Sequence, residues 1–239
     1  MDRIVDFHCH ILPGVDDGSA SMEETLGILR LMAEQGIRYA VATPHFYAQN
    51  DTPERFLKRR IQSALRLQEV LRVSPELPQV TLGAEVYFFR GISHSEVISQ
   101  LTIGGGKCIL IEMPSSSWTE SMYRELEAIY TERGLTPIIA HIDRYIRPFR
   151  AKKVLQRLSE LPVLVQANAE FFLDKRTAPM AMRMLASDKI HLLGSDCHNL
   201  KDRKPNLGAA VQAIEKRLGA DAIRRICGYE RLVLSGKNI

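Results

Sequence analysis

Seven short runs of apolar, often β-branched residues recur along this chain, and six of them contain, end on or lead into a histidine or a carboxylate. They are Ile4–Phe7, Tyr39–Ala42, Val80–Phe88, Ile109–Glu112, Thr136–Ala140, Val163–Ala167 and His191–Gly194. Apolar residues at consecutive rather than alternate positions mark strands covered on both faces, the pattern of a parallel sheet. Stretches of helical period lie between them. In Ser21–Gln35, Met22, Leu26, Leu29 and Ala33 fall on one face, Ser21 and Glu24 make a capping box, and Gly36 suits the C′ position. Glu120–Arg133 repeats this grammar, with Met122, Leu126 and Ile129 inward and Gly134 closing it. Strands that alternate with helices imply an α/β fold with a parallel sheet, open or closed into a barrel.

The polar residues favour the barrel. His8, His10 and Asp16-Asp17-Gly18 follow the first run, and His45 follows the second. Glu85 lies in the third. Glu112 ends the fourth, His141 follows the fifth, and Asp196 and His198 follow the seventh. In a (β/α) barrel such ends converge on one rim, whereas an open sheet spreads them along an edge. Five of the seven histidines fall in this one class of position. His94 and His191 do not, and are read as structural.

Spacing narrows the chemistry. In His8-Cys9-His10 and Asp196-Cys197-His198, residues i and i+2 of an extended chain point the same way, so each pair can serve one centre while its cysteine faces elsewhere. Histidines with carboxylates suit Mn, Fe or Zn. Eight or nine donors exceed the needs of one ion and suit two or three ions bridged by a carboxylate. Asp16-Asp17-Gly18 is either a turn or, this close to the histidine pair, a turn with at least one Asp facing the ions. Arg144 and Arg203 follow His141 and His198 closely, and a guanidinium fork matches a phosphate. Cys197 and Arg203 also satisfy the Cys-x5-Arg spacing of thiolate phosphatases. That loop requires glycine and a following helix N-terminus; here it has no glycine, and Lys204-Pro205 follows.

Composition removes other classes. Thirty-two Lys and Arg against 28 Asp and Glu leave a net charge of +4, too little to imply nucleic acid. Two basic runs, Arg55–Arg60 and Arg147–Lys153, read most simply as solvated helix faces, or else as a basic rim that attracts a phosphorylated partner. The apolar runs stop far short of a membrane span. Residues 1–20 lack a signal peptide's apolar core, and the four cysteines have no paired spacing, so a cytoplasmic protein is expected. No low-complexity linker divides the 239 residues, so a single domain, 1–239, is expected.

Taken in order, DFHCHILPGVDDG, VATPHF, LGAEV, ILIEMP, IIAHIDRY and LGSDCHN resemble the capsule-operon protein-tyrosine phosphatases of the PHP (polymerase and histidinol phosphatase) superfamily, from about residue 2 to about residue 205. The resemblance implies a distorted (β/α)7 barrel with a trinuclear metal centre at the C-terminal rim of the strands. It implies one ion on His8, His10, Glu85 and Asp196, a second on Glu85, Glu112 and His141, and a third on Asp17, His45 and His198, with Mn the expected metal. Arg144 and Arg203 match the family's phosphate-binding arginines. Asp143 stands where the family has a glutamate, which bears on the placing of Arg144 alone. The implied reaction is hydrolysis of phosphotyrosine on the tail of a tyrosine autokinase that controls polysaccharide export. The same centre would also serve a small ester such as histidinol phosphate, or a nucleic-acid phosphodiester. A non-catalytic, metal-stabilised kinase-binding regulator is the remaining alternative. The tail after Gly208 carries no motif and is expected to close the barrel with helices.

Overall fold

The computed structural model describes residues 4–146 and 151–236. It begins with β1 (Val5–Cys9), α1 (Met22–Glu34), β2 (Tyr39–Ala42), β3 (His45–Phe46), α2 (Pro53–Leu71), β4 (Gln79–Leu82) and β5 (Glu85–Tyr87). β6 (Cys108–Glu112), α3 (Glu120–Arg133), β7 (Thr136–Ile139), α4 (Ala151–Leu158) and β8 (Leu164–Asn168) follow. The chain continues through α5 (Ala169–Leu173), α6 (Ala178–Ala186), β9 (Leu192–Gly194), α7 (Leu207–Leu218) and α8 (Ala220–Leu234). Every strand pairing is parallel, in two ladders, β1-β2-β4 and β3-β5-β6-β7-β8-β9. The sheet curls until its first and last strands meet. Asp196 N–H donates to the His8 carbonyl at 2.7 Å, and His10 N–H to the Cys197 carbonyl at 2.9 Å.

The third apolar run breaks in two where the sequence suggests one strand, and a further short strand follows the second run. Val80–Phe88 divides into β4 and β5 around Gly83-Ala84, and the second run continues past Pro44 into β3. Pro44 has no N–H for a ladder. The Gly83 carbonyl is taken by Arg60 Nη1 at 2.9 Å, and Arg60 Nη2 reaches the Gln100 carbonyl at 2.8 Å. Both breaks fall at the same height. They turn β3 and β5 together, with His45 and Glu85 opposite each other in register.

Inside the curl, Val5, Phe7, Val41, Cys108, Leu110, Ile138, Leu164 and Leu192 fill the floor beneath the rim, and Val233 of α8 joins them from below. Of the C-terminal helices, α8 thus packs beneath the floor. The helical faces differ in detail. α1 buries Thr25, Ile28, Leu29 and Met32, while Met22, Leu26 and Ala33 are only partly buried. Ser21 caps it as expected, but the Glu24 carboxylate accepts from Ala20 N–H at 2.9 Å rather than from Ser21. In α3, Tyr123 joins Leu126 and Ile129 inward, and Met122 sits at the edge.

Glu230 of α8 is buried, and its Oε1 accepts the Val5 N–H at 3.1 Å. Burial pushes its carboxyl up to about 8. The folded protein therefore prefers the protonated acid. That contribution to stability is complete below the ordinary carboxylate range and is lost as pH rises to about 8. Thermal unfolding should show wild type losing stability between about pH 5 and about pH 9, and Glu230→Gln losing much less. Parallel curves for the two proteins would mean that Glu230 is ionised throughout.

Candidate metal centre

Three local distortions bring donors to the rim. The first is in β1, whose register against β2 slips between Asp6 and Cys9. Phe7 fills the floor, His8 turns into the site, and Cys9 and Ile11 point to the outer core. Asp6 Oδ1 holds the slip by accepting from His8 N–H at 3.3 Å and Ser195 N–H at 2.8 Å. The other two are left-handed backbones at His141 (φ 31°) and Asp196 (φ 53°), a conformation that costs energy in residues other than glycine. Each is held: His141 N–H donates to Gln166 Oε1 at 2.6 Å, and Asp196 N–H to His8.

Glu85 lies at the centre and is buried. Its Oε1 is 2.8 Å from His141 Nε2, and its Oε2 is 2.9 Å from His45 Nδ1, 3.2 Å from His8 Nε2 and 3.4 Å from His10 Nε2. Asp196 Oδ1 stands 3.6 Å from His8 Nε2 and 3.5 Å from His10 Nε2. Glu112 Oε1 is 3.5 Å from His141 Nε2, and Asp17 Oδ1 is 3.5 Å from His45 Nε2 and 3.6 Å from His198 Nε2. Burial opposes charge on Glu85, yet the histidines around it, His8 foremost, hold its carboxyl well below the usual carboxylate range. Asp196 is likewise held well below that range by His8 and His10 against its burial. Burial, with His10 and Arg203 nearby, lowers His198 to about 4. Burial and the charge of Glu85 raise Glu112.

All nine expected donors therefore converge on one place. Seven of them have ligand atoms in three overlapping groups, His10-Asp17-His45-His198, His8-His10-Glu85 and His45-Glu85-Glu112, while His141 stands beside Glu85 and Asp196 beside His8 and His10. Such groups are consistent with three metal ions. Among the described residues, Glu85 Oε2, Glu112 Oε2, Asp196 Oδ1, His45 Nδ1 and His198 Nε2 are buried without a well-formed hydrogen bond. Buried polar atoms left so at one point are costly unless something else satisfies them, and a cation does. The groupings differ from the implied sets in four places: His10 also joins Asp17, His45 and His198, His45 also joins Glu85 and Glu112, and neither Asp196 nor His141 falls within a group.

Arg144 and Arg203 reach the same rim, each partly exposed. Arg144 Nη2 lies 2.5 Å from Asp196 Oδ2 and its Nη1 3.4 Å from Glu112 Oε1, while Arg203 Nη2 lies 2.7 Å from Asp196 Oδ1. Asp143 Oδ1 accepts from Asn168 N–H at 3.1 Å. Cys197 is fully buried and faces Cys9 across the seam, so its thiol is not presented to a substrate. His94 is exposed, 3.8 Å from Glu132 and away from the donors, and the His191 ring accepts Val165 N–H at 2.9 Å.

Three residues support the donors, of which Gln166 and Asn168 are not apparent from the sequence. Gln166 Oε1 meets His8 Nδ1 at 3.3 Å besides His141 N–H, and Asn168 Nδ2 donates to Asp196 Oδ2 at 3.0 Å. Their signal was a pair of amides at i and i+2 in an apolar strand. Asp16 is the third, buttressing two donors instead of facing the ions: its Oδ2 takes His10 Nδ1 at 2.7 Å and His45 N–H at 2.9 Å. Against burial, the His10 hydrogen bond holds its carboxyl at about 2.

The basic run Arg55–Arg60 proves mixed. Arg60 is a buried anchor of the strand break, while Arg55 and Arg59 line a cleft beside Asp17 and His45. The second run, Arg147–Lys153, lies outside the described residues as far as Arg150 and enters α4 after it. Among the described residues no helix is long and apolar enough to cross a membrane.

A curled parallel sheet with clustered metal donors and two arginines at its rim defines a metal-dependent phosphatase of the PHP type. The family model for capsular polysaccharide synthesis, CpsB/CapC, matches residues 4–231, and the chain belongs to that family. It is 28% identical over 233 residues to the tyrosine-protein phosphatase CpsB of Streptococcus pneumoniae, covering 93% of this chain and 94% of that one. It is 26% identical to the tyrosine-protein phosphatase YwqE of Bacillus subtilis, covering 99% and 93%. The crystal structures of YwqE and CpsB are described as those of unique metal-dependent tyrosine phosphatases. One superposes with a TM-score of 0.87 at 25% identity, covering 99% of this chain and 96% of the other.

Proposed function

We propose that this protein is a single-domain, cytoplasmic phosphatase, residues 1–239, that hydrolyses phosphotyrosine on the tail of a tyrosine autokinase controlling capsular or exopolysaccharide synthesis. The observation that carries the reading is the convergence of nine donors and two arginines on one rim, in a chain whose relatives are named tyrosine-protein phosphatases. We assign one ion to His8, His10, Glu85 and Asp196, a second to Glu85, Glu112 and His141, and a third to Asp17, His45 and His198, with Mn as the metal. When bound, such ions supply Lewis-acid charge to phosphoryl oxygens and acidify water.

The chain's own residues do the rest. Asp16 engages His10 Nδ1 and Gln166 meets His8 Nδ1, so both rings are oriented with Nε2 toward the centre. Arg144 and Arg203 present guanidinium forks that bind and orient the non-bridging phosphate oxygens and stabilise charge as it moves toward the leaving group. Asp196, hydrogen-bonded to Arg144 and ion-paired with Arg203, sets their positions. A tyrosyl oxygen leaves readily, so a strong general acid is not required, and a rim histidine suffices to assist.

Chelator-stripped protein should lose hydrolysis of a phosphotyrosine peptide and regain it with Mn. Cys197→Ser should retain most activity. Complete inactivity of Cys197→Ser with its metals still bound would transfer the mechanism to the thiolate. A clear preference for histidinol phosphate over the peptide would sink the substrate assignment.

A further inference from the structure

Beside the metal donors lies an open cleft of about 350 Å³, lined by Val15, Asp17, His45, Tyr47, Asp51, Arg55 and Arg59 among others. One end is the metal centre itself, through Asp17 and His45. The His45 ring lies 5.1 Å from that of Tyr47, and Tyr47 lies 5.5 Å from Tyr87. An aromatic wall therefore leads away from the donors. At the far end two guanidiniums share one carboxylate: Arg59 Nη2 is 2.6 Å from Asp51 Oδ2, and Arg55 Nε is 3.8 Å from Asp51 Oδ1. Asp51 is largely buried, whereas Arg55 is 74% exposed and Arg59 41% exposed. One carboxylate neutralises only one of the two cations, and the guanidinium N–H groups it leaves free face the cleft and solvent.

We infer that this cleft is a second anion subsite, which takes an acidic or phosphorylated residue flanking the phosphotyrosine that reacts. The inference rests on the phosphotyrosine reading. The geometry suits a peptide in particular. Because Asp17 and His45 both belong to the metal donors and line the cleft, a phosphotyrosine held at that centre would have the cleft beside it, and its flanking residues would reach Tyr47 and then Arg55 and Arg59. A small aryl phosphate ends before that point. The subsite would make a run of neighbouring phosphotyrosines a better substrate than an isolated one, because each unreacted phosphate helps to hold the next.

The test compares kcat/KM for two phosphotyrosine peptides that differ only in having glutamates or glutamines beside the phosphotyrosine, at fixed ionic strength. Wild type should prefer the acidic peptide by about tenfold, the scale of a close charge pair at a partly exposed site. Arg55→Ala combined with Arg59→Ala should reduce that preference to near unity. Asp51→Asn, which keeps the side chain's shape and removes the competing charge, should increase it, a direction that a folding defect cannot produce. Hydrolysis of both peptides by wild type at equal efficiency, or no change of preference in either variant, overturns the subsite alone. Failure to hydrolyse either peptide overturns the phosphotyrosine reading and the subsite with it.

Discussion

Glu85→Ala should lose more than one metal equivalent per chain and about 10³-fold or more in kcat. The expectation follows from what one carboxylate touches. Its two oxygens stand within 3.4 Å of His8, His10, His45 and His141, donors that arrive from β1, β3 and the end of β7. Four imidazoles drawn to one point need a negative charge to hold several cations there, and among the described residues Glu85 is the carboxylate that meets all four. Histidines alone leave the ions' charges to repel one another through a dry interior. His45→Ala is the comparison. Its Nε2 faces Asp17 in the group that also holds His198, while the group it shares with Glu85 and Glu112 keeps both carboxylates without it, so it should remove chiefly the ion assigned to Asp17, His45 and His198. Elemental analysis of the two purified variants, with circular dichroism as the check on folding, decides the matter. Equal losses of a single ion in both would mean that Glu85 is an ordinary ligand and not the bridge.

Much of this site was legible because parallel strands impose a simple geometry. Their C-terminal ends share a rim, so donor residues scattered from His8 to His198 could be gathered before any contact was known. The two i, i+2 pairs were legible for the same reason. What escaped depends on the third dimension. The slip in β1 has no marker in Val5–Cys9, since Phe7 and His8 would lie on opposite faces of a regular strand. The division of Val80–Phe88 is hinted at by Gly83, but the Gly83 carbonyl there is taken by Arg60, a buried side chain that the run of charges around it does not single out. Reading Arg55–Arg60 as one kind of surface failed there: charge alone does not tell a cation that caps carbonyls from one that faces a cleft. The α1 face was misjudged because Thr25, with its hydroxyl on the Ile11 carbonyl at 2.9 Å, is buried as fully as a leucine. Gln166 and Asn168 were passed over because amides neither titrate nor commonly bind these ions. Their work is to orient groups that do.

Gly194→Ala should cost about 10²-fold in kcat and lower the thermal stability, although the residue binds nothing. Gly194 ends β9 where the curled sheet meets its first strand. A Cβ there would lie 2.5 Å from the His8 Cβ, 2.8 Å from Gln166 Nε2 and 2.9 Å from the His8 backbone nitrogen. Two of these neighbours cannot yield independently, because His8 is tied to the seam by the Asp196 N–H bond to its carbonyl. The third, Gln166, can swing away only by releasing His141 N–H and His8 Nδ1. Relief must therefore come from opening the seam or from moving His8, and either shifts a donor by a large fraction of an ångström. Overpacking of this kind costs about 1–3 kcal/mol, and a misplacement near 1 Å in a reacting geometry costs about 10²-fold. The variant should keep its fold, since the clash is local, and bind its ions less tightly. A series of metal titrations with activity as one readout and melting temperature as another separates these effects. If Gly194→Ala matched wild type in all three, the close approach of β1 and β9 would not be what positions His8.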